Sequence, residues 1–293
     1  MDERTALRTL AAELQAAGDD AAVVDGLVVT TDMLHETTDF PAGTTRYTAG
    51  WRSVGASLSD VAAMGADAVA TVAAYAAPTF DEDELGAFVR GARDVCELVG
   101  TEYVGGDLDT HDEFTTATTA IGRTDDPVLR SGAKPGDLLC VTGTLGRSAA
   151  ALRSFERGDI ERGNDLFRFE PRVTAGAVLA DYATAMMDSS DGLARSVHQL
   201  AEASDCGFAL DSAPIPVDTA VEDATDGESD YWESALHFGE DFELVFTLPE
   251  SALDRATSAS PVPVARIGRA TESSAGVTLD DESLPDRGYT HSA

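Results

Sequence analysis

Short clusters that join aspartate to glycine, serine or threonine recur along this chain of 293 residues, with long stretches between them. They are Gly18-Asp19-Asp20, Thr30-Thr31-Asp32, Ser57-Leu58-Ser59-Asp60, Gly105-Gly106-Asp107 and Asp188-Ser189-Ser190-Asp191-Gly192. Mg²⁺ is usually bound by a few carboxylates together with substrate phosphates, and small neighbours let a polyphosphate approach the backbone. A fold that brings these clusters together is therefore expected to be a phosphate-handling enzyme.

Each cluster also has a simpler structural interpretation. Asp188 and Asp191 stand at a predicted strand-to-helix junction, where backbone N–H groups and the helix dipole attract anions, and Ser190 could donate to a phosphate. Ser190 or Asp191 could equally cap that helix. The segments 30–32 and 105–107 could be turns, and Asp60 could be a solvated helix residue. One cluster alone therefore does not define a function.

The composition excludes several classes of protein. The formal charge is -33 at pH 7, so the basic surface of a nucleic-acid-binding protein is absent and anionic membranes would repel the chain. Hydrophobic residues make up 43% of the sequence, which predicts a folded core rather than disorder. Lys134 is the only lysine among 20 basic residues. An acidic, folded, lysine-poor chain indicates the salt-rich cytoplasm of a halophile, where salt screens self-repulsion.

The cysteines and the N-terminal sequence predict a cytoplasmic protein without disulfides. Cys96, Cys140 and Cys206 are widely spaced, which argues against structural zinc and against a disulfide framework. The first residues are acidic and contain no apolar run, so no signal peptide is predicted. The alanine-rich segment 61–77 contains a glycine and an aspartate, so it is not predicted to span a membrane.

The hydrophobic pattern predicts two α/β or α+β domains. Strands are predicted at 21–24, 27–31, 68–76, 114–121, 138–142, 183–187, 208–211, 242–248 and 264–268, and residues 102–104 lead into the glycine pair. Helices are predicted at 4–17, 44–64, 81–99, 146–157, 173–183 and 191–203. Asp25-Gly26 predicts a hairpin turn, and the acidic segment 218–230 is predicted to be a surface loop. Turn residues at 130–137 place the boundary between domains 1–133 and 134–293.

Familiar nucleotide-binding and hydrolase motifs are missing. A Walker P-loop needs GxxxxGK followed by Ser or Thr, whereas the single lysine is followed by Pro135. The protein-kinase motifs and the GxSxG motif of hydrolases are absent as well. The histidines are scattered, which favours surface or structural roles for them. Phosphate binding therefore requires a different scaffold.

Taken in order, the clusters and their neighbours resemble the thiamine-monophosphate kinase family over most of the chain. The segments that carry the resemblance are GDDAAVV at 18–24, TTDML at 30–34, LSDVAAMGAD at 58–67, GGD at 105–107, RSGAKPGD at 130–137, VTGTLG at 141–146, DSSDGL at 188–193 and GEDFEL at 239–244. Single segments are shared with related families. The complete set in this order is specific to the thiamine-monophosphate kinase family.

The resemblance implies ATP-dependent phosphorylation of thiamine monophosphate to thiamine diphosphate, with Mg²⁺ as cofactor. It also implies the two-domain α/β fold of the aminoimidazole-ribonucleotide synthetase-like superfamily, in which N-terminal domains pair across a homodimer and the C-terminal domain covers the active site. The implied magnesium ligands are Asp20, Thr30, Thr31, Asp32, Asp60, Asp107, Asp188 and Asp191. The implied ATP contacts are Gly106, Asp107, Arg130 and Ser190. The implied substrate contacts are Asp39 and Glu240.

Some positions depart from the family pattern. Asp39 replaces a histidine that usually precedes the phenylalanine, Ser57 replaces an asparagine, and Phe238 replaces the first of two glycines. Tyr289 is the nearest candidate for the aromatic residue that covers the substrate in relatives. The alternatives are another enzyme of the superfamily or a non-catalytic binding protein. Selenophosphate synthetases and hydrogenase-maturation relatives need a cysteine near one end of the chain, which is absent here.

Overall fold

A computed structural model describes residues 9, 10, 13, 14 and 16–289, and in this part of the chain the strands form two sheets. The helix predicted at 4–17 lies largely outside the described residues. Mixed sheets with helices packed against them confirm the predicted α/β class. None of the helices in the described part of the chain is long and apolar enough to cross a membrane.

The first sheet has the strand order β1-β2-β5-β3-β4. The strands are β1 Ala22–Val24, β2 Leu27–His35, β3 Asp67–Ala77, β4 Tyr103–Thr110 and β5 Thr115–Arg123. Asp25 and Gly26 join β1 to β2 with φ angles of 52° and 76°, the left-handed backbone of a two-residue hairpin turn. The predicted hairpin is confirmed, and β2 extends four residues beyond its predicted end, to His35.

Three helices that follow β2 in the described part of the chain accompany this sheet: α1 Glu36–Asp39, α2 Arg46–Ala63 and α3 Glu82–Leu98. Thr45 caps α2 by accepting a hydrogen bond from the Thr48 N–H. Helix α2 packs closely on α3, because a Cβ added at Gly50 would lie 2.1 Å from the Phe88 carbonyl oxygen. Nearly all of α2 is buried between the sheet and the second half of the chain. This burial fixes the residues at its C-terminal end, where Ser59 and Asp60 lie.

The second sheet has the order β12-β11-β8-β10-β6-β9-β7. Its strands are β6 Leu138–Thr142, β7 Ala185–Asp188, β8 Cys206–Leu210, β9 Leu244–Leu248, β10 Val264–Glu272, β11 Val277–Leu279 and β12 Glu282–Ser283. The helices here are α4 Arg147–Glu156, α5 Ile160–Phe167, α6 Val173–Leu179, α7 Leu193–Ser204, α8 Thr219–Ala224, α9 Glu228–Leu236 and α10 Leu253–Ala259. Strand β6 has the predicted bounds, and α6 is shorter than predicted.

The predicted surface loop at 218–230 is wrong. Asp218 caps α8 by accepting from the Ala220 N–H, and Val221 and Ala224 are buried. A second helix, α9, begins at Glu228. Most of the acidic residues that made the segment look irregular lie on the outer faces of these helices or cap them, and Asp226 lies in the bend between them. Burial of a few apolar side chains against α4 therefore outweighed the low apolar content of the segment.

The turn interpretation of Gly105-Gly106-Asp107 is also wrong, because all three residues lie inside β4. Gly106 is paired with Ala73 of β3, and a Cβ at Gly106 would lie 1.7 Å from the Ala73 carbonyl oxygen. Only glycine permits this approach of the two backbones. Strand β4 is an edge strand, so Asp107 is exposed at the side of the sheet.

Candidate active site

Three carboxylates from distant parts of the sequence meet at the C-terminal end of α2. Asp20 precedes β1, Asp60 lies in the last turn of α2 and Asp188 ends β7, and one oxygen of each lies within 4.8 Å of the others. The side chain of Asp20 and the residue Asp188 are each 1% exposed. Burying three acids together is costly without a positive charge nearby, so the cluster favours a bound cation.

Hydroxyl groups from the same sequence clusters orient these carboxylates. The Thr30 hydroxyl donates to Asp60 Oδ2 at 2.5 Å, and the Ser59 hydroxyl donates to Asp188 Oδ2 at 2.6 Å. The Ser190 N–H donates to the other Asp188 oxygen at 3.3 Å. Each carboxylate keeps oxygen lone pairs for another partner, since these contacts use one or two of the about four acceptor positions of a carboxylate.

Asp32 lies next to this group on β2. The Ser57 hydroxyl donates to Asp32 Oδ2 at 2.7 Å and is also 2.8 Å from the Thr118 hydroxyl. Ser57, which replaces the usual asparagine of the family, therefore keeps a hydrogen-bonding role. Ser57 and Ser59 belong to one of the clusters that the sequence singled out, but no binding role was predicted for either; the structure shows them binding Asp32 and Asp188.

The electrostatics of the site raise carboxyl pKa values. Burial, and then Asp32, Asp188 and Asp20, raise the pKa of Asp60 well above its ordinary value. Burial and the neighbouring Asp20 raise the pKa of Asp188 to about 7, against the opposing effects of Ser59 and Arg130. Burial is also the largest cause of the raised pKa of Asp32, with Glu240 contributing.

Arg130 supplies positive charge at one side of the cluster. Its guanidinium contacts Asp20 through two hydrogen bonds of 2.8 and 3.2 Å, and this pairing with Asp20 helps to raise the Arg130 pKa against the effect of burial. One arginine faces several buried carboxylates, so an excess of negative charge remains. Clustered oxygen donors with excess negative charge fit Mg²⁺, a hard cation that prefers carboxylate ligands.

We expect the affinity for Mg²⁺ to fall as the pH drops below 7. The pKa of Asp188 is raised to about 7, and its proton must leave before the oxygen binds a cation. The pKa of Asp188 in the fold lies above the ordinary value of 3.8. Its ionisation therefore destabilises the metal-free fold progressively as the pH rises from 3.8 to about 7. Mg²⁺ should therefore raise the melting temperature more at about pH 8 than at about pH 5.5.

The measurement is thermal unfolding with and without Mg²⁺ at both pH values. Calorimetric titration in buffers of different ionisation enthalpy would count the protons released on binding. The Asp188→Asn variant is the comparison, since it removes one of the titrating carboxyl groups of the cluster and should reduce the difference between the two pH values. Equal stabilisation by Mg²⁺ at both pH values in the parent protein would contradict the expectation.

One cavity borders the carboxylate cluster, and a second is lined by Glu240, whose N–H binds the Ser190 carbonyl. The first has a volume of about 1010 Å³ and is lined by Asp20, Thr30, Arg130 and, from α7, Gln199 and Glu202. The other, of about 630 Å³, contains both predicted substrate contacts, Asp39 and Glu240, together with Tyr289. Its aromatic lining is Phe40, Phe167, Phe238 and Tyr289. Sequence reasoning missed the first three aromatic residues, because nothing in their local pattern separates them from core residues.

Other predicted site residues lie apart from the carboxylate cluster. The Thr31 hydroxyl points toward β5 and donates to the Thr118 carbonyl at 2.9 Å, so this side chain binds the backbone of the neighbouring strand. Gly106 and Asp107 lie on β4, at the other edge of the sheet from β2. Asp191 is partly exposed just after β7 and is not one of the three clustered carboxylates.

The predicted helix cap at Ser190 or Asp191 is wrong. Helix α7 begins at Leu193 with Gly192 as its N-terminal cap residue, and no side chain caps it. The backbone of Ser190 instead contacts both sides of the site: its N–H donates to Asp188 and its carbonyl accepts from the Glu240 N–H at 2.6 Å. The backbone of Ser190 therefore connects Asp188 to Glu240 and does not cap α7.

Comparisons with known proteins agree with this geometry. Residues 18–124 match the family model of the AIR synthase related protein N-terminal domain, and residues 134–280 match that of the C-terminal domain. A thiamine-monophosphate kinase of Halobacterium salinarum is 61% identical over 99% of this chain and 100% of its own length. One of Methanospirillum hungatei is 42% identical, with 99% of each chain covered.

A solved structure described as AaThiL complexed with AMPPCP and TMP has a TM-score of 0.89 and 27% sequence identity, covering 99% of this chain and 97% of its own. The expected aminoimidazole-ribonucleotide synthetase-like fold is thereby confirmed. The sequence identities, the coverage and the ordered site residues all lead to one assignment: this chain belongs to the thiamine-monophosphate kinase family.

Proposed function

We propose that this protein transfers the γ-phosphoryl group of ATP to the phosphate of thiamine monophosphate, giving thiamine diphosphate and ADP. The observation that carries the proposal is the meeting of Asp20, Asp60 and Asp188 at the edge of a large cavity that Asp20 lines, in a chain 61% identical to a thiamine-monophosphate kinase along its length. The larger cavity is assigned to ATP, because Asp20, Thr30 and Arg130 line it.

The acceptor explains why the site needs no general base. A phosphate monoester has a second pKa of about 6, so the attacking oxygen is already mostly ionised near neutral pH. The obstacle is repulsion between two polyanions, and Mg²⁺ held by Asp20, Asp60 and Asp188 would offset that charge when bound. Arg130 adds a guanidinium beside the same cluster, and its planar fork suits phosphate oxygens.

The smaller cavity suits the thiazolium end of thiamine monophosphate. Carboxylates of Asp39 and Glu240 line it, and both would face a positively charged heterocycle. The rings of Phe40, Phe238 and Tyr289 line it too, and aromatic faces attract cations. Asp39 replaces the family's histidine, so in this chain a charge contact takes the place of an imidazole. This assignment supports direct transfer between two bound substrates.

We also propose a homodimer formed by the first sheet. One face of that sheet carries exposed apolar side chains, with Met33 60%, Val69 49% and Val104 58% exposed. Both edges are open in the described residues: β4 pairs only with β3, and β1 covers only Leu27–Val29 of β2. A second copy could pair its β4 with the open part of β2 and bury the apolar face.

The dimer would explain the position of Asp107. Asp32, Thr118, Ala73 and Gly106 stand opposite one another across β2, β5, β3 and β4. Asp32 and Gly106 are separated by three strand spacings of about 4.8 Å each, which is about 14 Å in total. Ligands of one Mg²⁺ lie within about 4 Å of each other. Asp107 therefore cannot share an ion with Asp32 of its own chain, whereas β4 of a second copy could reach it.

We expect activity to return when Asp107→Asn subunits are mixed with Asp188→Asn subunits. If Asp107 acts on the partner's site, each mixed dimer has one site with both native carboxylates. Random mixing gives half mixed dimers, so about a quarter of the native activity per chain should reappear. Each variant alone should be inactive. Absence of recovery, with dimers confirmed by light scattering, would place Asp107 in its own chain's site or outside any site.

The proposed activity is tested by incubating the purified protein with ATP, Mg²⁺ and thiamine monophosphate in high salt. Mass spectrometry should show thiamine diphosphate and ADP, and no phosphorylated protein should accumulate with ATP alone. Turnover of a different acceptor in place of thiamine monophosphate would favour another enzyme of the superfamily. Binding of ATP and metal without turnover would favour a non-catalytic protein. The cytoplasm, which supplies ATP, is the proposed compartment.

A further inference from the structure

Arg52 of α2 is buried beside the smaller cavity and has no role in the site described above. It is 1% exposed and is the largest of the fully buried side chains in the described residues. Burying an arginine is costly unless its charge is paired and its N–H groups are hydrogen-bonded. A buried arginine beside a substrate cavity therefore needs an explanation from its contacts.

The guanidinium of Arg52 is bonded mainly to Glu240, the predicted substrate contact. Its Nη2 donates to Glu240 Oε2 at 2.5 Å and to the Glu240 carbonyl oxygen at 3.1 Å. Its Nη1 donates to the Phe167 carbonyl at 2.7 Å. Ser148 completes the arrangement, since its hydroxyl lies 3.3 Å from Nη2 and donates to the Glu240 carbonyl at 2.6 Å.

Aromatic rings hold the guanidinium in place. Its central carbon lies 3.7 Å from the centroid of the Phe167 ring and 5.4 Å from those of Phe169 and Phe242. The Phe169 and Phe242 rings are stacked, with their centroids 4.2 Å apart. A cation enclosed by aromatic faces is attracted to each of them. Phe167 also lines the smaller cavity, so the group that holds Arg52 forms part of the cavity wall.

The backbone around Glu240 needs such support. Glu240 and Phe242 have φ angles of 64° and 55°, which non-glycine residues rarely adopt, and Gly239 has a φ of 82°. A conformation of this kind persists only where the surroundings impose it. Arg52 and Ser148 bind the Glu240 carbonyl, and the Ser190 carbonyl binds its N–H.

We propose that Arg52 is a positioning residue for recognition of the thiazolium substrate, acting through Glu240. By binding Glu240 Oε2 and the Glu240 carbonyl, it holds the other carboxylate oxygen toward the cavity in one orientation. Since α2 belongs to the first half of the chain and Glu240 to the second, Arg52 also joins the two halves at the substrate cavity. The inference rests on the proposed function and names a determinant of substrate affinity that the carboxylate cluster does not include.

The test compares Arg52→Met and Arg52→Lys with a matched surface variant, Arg162→Met. Arg162 is 46% exposed and pairs with the exposed Asp223. For Arg52→Met we expect the KM for thiamine monophosphate to rise about tenfold or more, with the KM for ATP changed less than about twofold. Arg52→Lys keeps the charge beside Glu240 but loses the planar fork that also binds the Phe167 and Glu240 carbonyls, so its KM for thiamine monophosphate should lie between those of the native protein and Arg52→Met. Arg162→Met should change neither KM.

A double-mutant cycle with Glu240→Gln separates positioning from folding. If Arg52 acts through Glu240, adding Arg52→Met to Glu240→Gln should raise the KM for thiamine monophosphate by less than about twofold further. Melting temperatures are recorded for every variant, and Arg52→Gln replaces Arg52→Met if the latter does not fold.

Three results would overturn the inference. The first is an unchanged KM for thiamine monophosphate in the Arg52 variants, and the second is an equal rise in the KM for ATP. The third is a KM increase in the double mutant equal to the product of the increases in the Arg52→Met and Glu240→Gln single variants. If the native protein turns over ATP but not thiamine monophosphate, the proposed function itself fails, and the role of Arg52 fails with it.

Discussion

Replacing Asp188 by asparagine is expected to lower turnover about a thousandfold, because removing a proposed Mg²⁺ ligand should remove several kcal/mol of charge stabilisation from phosphoryl transfer. The variant should nevertheless fold. Asparagine keeps an oxygen that can accept from the Ser59 hydroxyl, and it removes a buried charge that lies near Asp20 and Asp60. In the absence of Mg²⁺ its melting temperature should equal or exceed that of the native protein.

Turnover at saturating ATP and rising Mg²⁺, measured alongside the melting temperature, tests this prediction. Asp137→Asn is the matched control: Asp137 is also buried and accepts from the Lys134 N–H and the Thr184 hydroxyl, away from the carboxylate cluster. It should affect stability but not turnover. Asp191→Asn is measured in parallel, since its role was predicted only from the family resemblance. Near-native turnover of Asp188→Asn would remove the basis for a metal site.

Dilute buffer is expected to destabilise the protein strongly. The chain carries 53 acidic and 20 basic residues, and their repulsion reaches about 10 Å in 0.1 M salt but only about 3 Å in 1 M salt. We expect the melting temperature to fall by roughly 10–20 °C between about 2 M and about 0.1 M KCl, which for a chain of this size corresponds to about 5 kcal/mol of unfolding free energy. Turnover should disappear with the folded state.

Circular dichroism across a KCl series at fixed Mg²⁺ measures the effect. NaCl should act like KCl, because screening depends on ionic strength rather than on the identity of the ion. Sucrose at matched osmolality should restore much less stability, since it is uncharged. A melting temperature independent of salt would show that the surface charge does not oppose folding.

Local patterns in the sequence predicted most of the secondary structure. Strand β6 at Leu138–Thr142 has the predicted bounds, and the Asp25-Gly26 hairpin lies where its dipeptide indicated. These features depend on neighbouring residues alone. The errors concern longer-range effects: burial against α4 turned part of 218–230 into helices, and pairing with β3 drew Gly105-Gly106-Asp107 into a strand.

The sequence by itself determined the kinds of atoms available to the site, since aspartates beside small residues provide oxygen ligands whatever the fold. It did not determine which of them meet. Asp20, Asp60 and Asp188 converge, whereas Asp107 remains at a sheet edge, because strand order and register set distances that sequence spacing does not reveal. Arg52 shows the same limit. Its partners Phe167 and Glu240 are 115 and 188 residues away, and only tertiary packing makes it a buried cation beside a carboxylate.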